Sequence, residues 1–183
     1  MNPTTSFLIL ILLLTLLLAW VVIIPVFFGA PWHPASSRAI RRILDFCETK
    51  PGETIYDLGS GDGRVLITAA REYGLVGVGI EIDPLKAWIS RLRIRWTGMA
   101  DRVRVFRGNV YNHDFSEADI LFIYLSHSAV DHLFPALLDK LKPTVKIVTY
   151  RFCLRSVVPT KVNSDKTIFL YTLNKGTRLN DYS

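Results

Sequence analysis

Three glycines at alternate positions, Gly59, Gly61 and Gly63, follow the acidic residue Asp57 at the end of a short apolar run that begins at Ile55. A glycine turn joining a buried strand to an amphipathic helix can bind a nucleotide-like ligand. The backbone there comes close to the ligand and tolerates positive φ, and on this reading the N–H groups of the turn, that of Ser60 included, point at the ligand's polar atoms. The spacing narrows the choice of ligand. A dinucleotide site needs G-x-G-x-x-G, whereas here Arg64 takes the place of the third glycine and Gly63 comes one residue early. A phosphate-binding loop needs G-x-x-x-x-G-K-[ST], and no lysine follows these glycines. NAD, FAD and ATP are therefore disfavoured. A second acid, Glu81, closes the next apolar run about 20 residues beyond the first glycines, where a carboxylate that accepts ribose hydroxyls belongs.

Other chemistries find less support. No Cys/His cluster has metal-ligand spacing, and His33, His113, His127 and His132 share no motif, so no metal is expected. Cys47 and Cys153 are far apart and flanked by apolar residues, which suits buried thiols in a reducing compartment. The formal charge of +6 is concentrated at Arg91, Arg93, Arg95, Arg102, Arg104 and Arg107. These form solvated faces of a helix and a strand, or alternatively meet anionic headgroups. No aromatic-interleaved stacking motif accompanies them, so nucleic acid is not an expected partner.

The elements that must position the glycine turn follow from patterning. Half of the 183 residues are hydrophobic, unevenly distributed, and the first 37 carry no charge. Residues 7–28, with Phe7 and Phe28 at the ends, are long enough at about 1.5 Å per residue to cross a hydrocarbon core of about 30 Å. The stretch lacks a basic n-region and a clear cleavage site, so it is expected to be a transmembrane anchor rather than a cleaved signal. Arg38, Arg41 and Arg42 follow it, which places the remainder of the chain in the cytoplasm, or in the matrix if the membrane is mitochondrial. The expected organisation is an anchor over residues 1–29, a proline-rich connector over 30–35, a catalytic domain over 36–174 and a frayed tail over 175–183.

Within the domain, periodicity predicts helices over 36–47, 63–73, 84–97 and 128–141. Strands are predicted over 54–58, 76–82, 103–107, 120–125, 146–152 and 167–173. Such alternation predicts an α/β fold, a Rossmann-like, doubly wound, mostly parallel sheet. Leu85, Trp88, Leu92 and Trp96 fall on one side of the helix over 84–97 and are expected to be its buried side, with Lys86 and Arg93 outside.

The pattern acidic-x-Gly-x-Gly-x-Gly with its spaced carboxylate resembles motif I of the class I, seven-strand S-adenosylmethionine (SAM) methyltransferases. Over about residues 31–162 the chain is similar to one group of these: the small membrane-anchored protein-lysine methyltransferases of mitochondria that modify the ADP/ATP carrier and the ATP synthase c subunit, with their soluble archaeal relatives. The resemblance is carried by the motif I stretch over residues 56–70, by Pro31-Trp32-His33-Pro34 with Arg41-Arg42-Ile43-Leu44, and by Arg151-Phe152-Cys153-Leu154 with Pro159. The chain departs from the group at Ala35-Ser36 and at Val157, positions that bear on substrate rather than on cofactor. The resemblance implies SAM as cofactor. Asp57 would fix the glycine loop and approach the methionine ammonium, Glu81 would hold the ribose, and Asn109 would sit near the adenine edge.

Base N-methylating enzymes carry [D/N]-P-P-[Y/F/W] after the fourth strand, where this chain has Ile123-Tyr124-Leu125-Ser126. Neither cysteine follows a proline, which disfavours cytosine C5 methylation. The expected acceptor is a lysine ε-amine of a protein at or near the membrane, with Tyr124 orienting the neutral amine. Two alternatives stand beside it: methylation of a lipid or other hydrophobic small molecule at the bilayer, and a noncatalytic SAM-binding scaffold.

Overall fold

Charge-free, leucine-rich sequence at the N-terminus forms one helix, α1 (Pro3–Phe27), in the computed structural model, which describes residues 2–27 and 34–172. Its window Pro3–Trp20 has mean hydropathy 2.1 and none of it is buried, so α1 is long and apolar enough to cross a membrane. The helix begins earlier than the apolar run because Asn2 caps it: the Asn2 side chain accepts from the Thr4 N–H and its carbonyl from the Thr5 hydroxyl. Most of the expected connector, and the expected tail, lie outside the described residues.

The second unit, residues 34–183, is built on a seven-stranded sheet of order β3-β2-β1-β4-β5-β7-β6. The strands β1 (Thr54–Leu58), β2 (Val76–Glu81), β3 (Val103–Arg107), β4 (Ile120–Ile123) and β5 (Lys146–Tyr150) run parallel. Strand β7 (Ile168–Thr172) is antiparallel to β5, and the two-residue β6 (Lys161–Val162) is antiparallel to β7. Helices α2 (Ser37–Phe46), α3 (Arg64–Tyr73), α4 (Pro84–Trp96) and α5 (His127–Leu137) cover the sheet. One buried cluster joins Ile40 and Ile43 of α2, Leu66 of α3 and Ile94 of α4 to Ile55 and Val105 of the sheet. A second joins Val130, Leu133 and Phe134 of α5 to Leu58, Ile80 and Leu121. This is the doubly wound, mostly parallel fold that the alternation predicts, with seven strands where the patterning gives six.

Local chemistry explains the helix starts. Ser36 caps α2 by accepting from the Ala39 N–H, and Asp83 caps α4 by accepting from the Leu85 and Lys86 N–H groups, with Pro84 in the first turn. Several ends differ from expectation. Strand β4 stops at Ile123, and α5 gives way at Leu137 to a single tighter turn, Leu138–Lys140, two residues after Pro135. Strand β6 escapes sequence reading because two residues leave no periodic signal.

The largest correction concerns α4. Its buried residues are Ala87, Ser90 and Ile94, while Trp88 is 59% exposed and Trp96 77% exposed. Trp88 and Trp96, expected to face the core, face solvent, and Leu85 and Leu92 are only half-buried. The physical reason is close packing beneath the helix: a Cβ at Gly63 would lie 2.2 Å from Ser90 Oγ, so only small side chains fit between α4 and the glycine loop.

Candidate functional site

The chain moves outward along β1, β2 and β3, then returns to place β4 beside β1. Ligands of open α/β sheets bind beyond the carboxyl ends of the strands at such a reversal. Here that position holds the glycine loop after β1 and Tyr124 after β4, and register brings them level because Leu58 pairs with Ile123.

Gly59, Gly61 and Gly63 have φ of 81°, 54° and 75°, a region that disfavours any side chain. Their N–H groups do not point at a ligand, contrary to the sequence expectation. Gly59 and Ser60 donate to the Ile80 carbonyl at 2.9 and 3.1 Å, and Gly63 donates to the Ser60 carbonyl at 2.9 Å. Gly61 donates to Glu81 Oε2 at 2.7 Å, while Glu81 Oε1 accepts from the Asp83 N–H at 2.9 Å. A loop whose amides are spent internally is a rigid shelf rather than a phosphate cradle, which agrees with a ligand that carries no phosphate. Glu81, only 6% exposed, therefore both ties the loop to β2 and keeps further lone pairs for hydroxyl donors.

Asp57 is 3% exposed, and among the described residues no hydrogen bond reaches its carboxyl. Burial first, then the charges of Glu81 and Asp62, push its pKa up to about 8. A desolvated acid without a cation at the mouth of the sheet is suited to an ammonium-bearing ligand. Asp62 is held differently. Burial opposes its ionisation, but hydrogen bonds from Arg64 and the charges of Arg64 and Arg93 bring its pKa below the usual value. Arg64 grips it at 2.7 and 2.9 Å, and Arg93 Nη1 bonds the same carboxylate. Arg93, expected merely to face solvent, thus braces the loop from α4.

On the other side of the switch point stands an aromatic wall. Tyr124 meets Tyr150 edge-on at 4.9 Å and stacks on Phe152 at 6.4 Å, and His127 meets Phe152 edge-on at 4.9 Å. Register builds this cluster, since Ile123 pairs with Thr149 and a tyrosine occupies the next position of each segment, Tyr124 just after β4 and Tyr150 at the end of β5. Arg151, beside it, adopts φ 67° and lays its guanidinium over the Tyr150 ring at 5.6 Å.

Of the residues singled out from sequence, Asp57, Gly59, Ser60, Gly61, Gly63 and Glu81 form one contiguous shelf, with Tyr124 at its edge. Leu125 Cδ2 would lie 3.2 Å from a Cβ at Gly59, which closes that edge. Ser60 contributes differently from expectation, because its hydroxyl is buried over Gly79 without a hydrogen-bond partner. Asn109 is exposed after β3 and caps the turn Val110–Asn112 by accepting from the Tyr111 N–H at 3.1 Å. Cys47 is buried and its thiol is pushed up to about 12 by desolvation, Cys153 is only half-buried, and both are free.

Sequence reasoning missed Gly79. A Cβ there would stand 2.6 Å from Ser60 Oγ and 2.8 Å from Leu66 Cδ1 and Ser60 Cβ, so glycine is what lets the loop lie flat on β2. The available signal was the alternation of Gly77 and Gly79 within an otherwise β-branched strand. Gly79→Ala should lower stability by about 1–3 kcal/mol through overpacking and weaken cofactor binding by lifting Ser60. Urea unfolding and titration calorimetry would check both, with Gly77→Ala as the milder control because nothing there comes closer than 3.2 Å.

The ANTKMT methyltransferase domain matches residues 57–161, from Asp57 to the start of β6. The chain is 30% identical over 152 residues to a protein-lysine N-methyltransferase of Saccharolobus islandicus (strain REY15A), covering 79% of this chain and 94% of that protein. It is 28% identical over 145 residues to the adenine nucleotide translocase lysine N-methyltransferase of Mus musculus, covering 79% of this chain and 62% of the mouse enzyme, less than two thirds of its length. Among solved structures, an RNA methyltransferase from Salinibacter ruber in complex with S-adenosyl-L-homocysteine is 34% identical with a TM-score of 0.75, covering 78% of this chain and 95% of that one.

Proposed function

The chain belongs to the ANTKMT methyltransferase-domain family, a SAM-dependent methyltransferase by fold and relatives, and from that premise we propose that it is a membrane-tethered enzyme methylating lysine ε-amines of a protein at or near the bilayer. The observation that carries this reading is the wall of Tyr124, Tyr150, Phe152 and His127 beside the shelf of Asp57 and Glu81. Aromatic faces attract an alkylammonium and also desolvate it, which favours the neutral amine that can act as a nucleophile. Bound SAM supplies an activated methyl carbon and a sulfide leaving group. The protein's part is to hold and orient. Asp57 would take the methionine ammonium, Glu81 the ribose, and the amide nitrogen of Asn109 would lie near the adenine. Tyr124 would accept from the incoming amine through its hydroxyl, and the aromatic wall would exclude water. In-line transfer then needs little beyond near-attack geometry.

The tether is α1, followed in sequence by Arg38, Arg41 and Arg42, which favours a cytoplasmic or matrix-side domain. Within the fold Arg41 pairs with Glu72 and Arg42 with Asp165. The domain organisation proposed is an anchor over residues 1–29, a connector over 30–35, the methyltransferase domain over 36–174 and a tail over 175–183. Ala35 is nevertheless buried in the core cluster of the second unit.

Radiolabelled SAM incubated with native membranes from cells with and without the chain tests the acceptor. Label in protein lysine, located by mass spectrometry, supports the reading. Label in the lipid extract or in RNA assigns the activity to that class instead, and SAM binding without label marks a noncatalytic scaffold. Tyr124→Phe should lower turnover about tenfold, the worth of one oriented hydrogen bond, with SAM affinity unchanged. The rate should rise with pH until the acceptor amine is deprotonated.

A further inference from the structure

Helix α4 has two unlike faces. Toward the sheet it offers small or slender side chains, whereas Leu85, Trp88, Leu92 and Trp96 lie at three- and four-residue spacing on the solvent side. The two leucines are half-buried and both indoles are exposed. Arg91 and Arg95 flank the stripe, and Arg91 Nε donates to the Val105 carbonyl at 2.9 Å, which ties that flank to the edge strand β3. On β3 itself Arg104, Phe106 and Arg107 are exposed.

Charge is concentrated in this one stretch. Residues 84–113 hold seven of the chain's 22 Lys and Arg and one of its 16 Asp and Glu, so the whole formal excess of +6 resides there. Ion pairs consume only part of it: Lys86 pairs with Asp83 and Arg93 with Asp62, whereas among the described residues Arg95, Arg104 and Arg107 make no salt bridge and donate no side-chain hydrogen bond, and the acid in the stretch, Asp101, pairs with none of them.

An exposed tryptophan–leucine stripe bordered by guanidinium groups has the chemistry of a helix that lies in a membrane interface. Indoles favour the headgroup level, where their apolar bodies and N–H groups are both accommodated, and arginine forks bind phosphate oxygens bidentately. A protein partner would also cover the indoles, but it would not by itself account for the net charge of the chain gathering around them. The membrane-length helix α1 in the same chain keeps a bilayer within reach. We propose that the outer face of α4, with the adjoining edge strand β3, docks on the anionic headgroup layer of a bilayer, with Trp88 and Trp96 entering the interface. The docked domain then has its cofactor loop braced by a membrane-bound helix, since Arg93 of α4 holds Asp62.

The test uses the full chain reconstituted in vesicles. The chain has four tryptophans, so Trp20→Phe with Trp32→Phe leaves Trp88 and Trp96 as the reporters. In vesicles containing phosphatidylglycerol, their emission should shift to the blue, become shielded from aqueous iodide and be quenched by phospholipid brominated near the headgroup. In pure phosphatidylcholine these changes should be weak. Arg95→Gln should reduce the ratio of docked to undocked domain about fivefold, and added salt should act in the same direction. Trp88→Gln with Trp96→Gln, followed by an environment-sensitive dye on the domain, should abolish docking while leaving SAM affinity intact. Equal iodide access in detergent and in anionic vesicles would overturn the proposal. So would shielding that grows with protein concentration in neutral vesicles, which assigns the face to a second copy, or shielding that needs added RNA.

Discussion

Asp57→Asn should weaken SAM binding by about thirtyfold or more and, at pH 8, make the ligand-free protein more stable. The two effects have one origin. Burial, then Glu81, then Asp62 raise the Asp57 carboxyl from 3.8 to about 8. A carboxyl raised on folding contributes its full stability below its unfolded pKa and loses it as pH climbs toward the folded value. The ligand-free wild type is therefore penalised increasingly between about pH 4 and pH 8, by several kcal/mol at the upper end. Asparagine removes that penalty and also removes the proposed partner of the cofactor's ammonium, whose loss from a buried charge pair is worth about 2–5 kcal/mol of affinity. Thermal unfolding of both proteins across this range should show the variant ahead at pH 8 and the gap closing toward pH 4. A variant that binds SAM normally would remove Asp57 from the site. A gap independent of pH would mean that the buried carboxyl is not the source of the instability.

Glu81→Ala is the second large effect, and it should damage fold and function together. The carboxylate holds the Gly61 and Asp83 N–H groups at 2.7 and 2.9 Å. Removing it leaves two backbone donors unpaired, at about 1–3 kcal/mol each. Loss of the proposed ribose contact adds roughly 1–3 kcal/mol of lost SAM affinity, or about fivefold to more than a hundredfold in dissociation constant. Glu81→Gln separates the terms, because its remaining carbonyl can keep one of the two N–H bonds while its amide turns a donor toward the other. Urea unfolding should rank the wild type first, the glutamine variant second and the alanine variant last, with calorimetric affinity for SAM following the same order. Full stability in the alanine variant would show that the loop is held by the Ile80 carbonyl without help from Glu81.

Much of this protein is written locally. The glycine spacing, the two acids and the short apolar runs predict the order of strands and helices and the place of the shelf. Each of those signals depends on a residue's neighbours within a few positions: φ preference at Gly59, Gly61 and Gly63, alternation in β1 and β2, and caps at Ser36 and Asp83. The length and apolarity of α1 are equally local properties.

What only the tertiary structure decided involves partners distant in sequence. The destination of the loop's N–H groups depends on where β2 runs, so a ligand-facing turn by sequence becomes a turn tied to Ile80 and Glu81. The aromatic wall depends on the register of β4 against β5, which sets Tyr124 beside Tyr150 although 26 positions separate them. The orientation of α4 was the hardest to read. Periodicity identifies an apolar stripe but not which side of the helix the sheet will cover, and here the space above Gly63 is taken by Ser90 and Ile94 and admits no tryptophan. Packing volume against the glycine loop, a property of three segments at once, turned Trp88 and Trp96 outward.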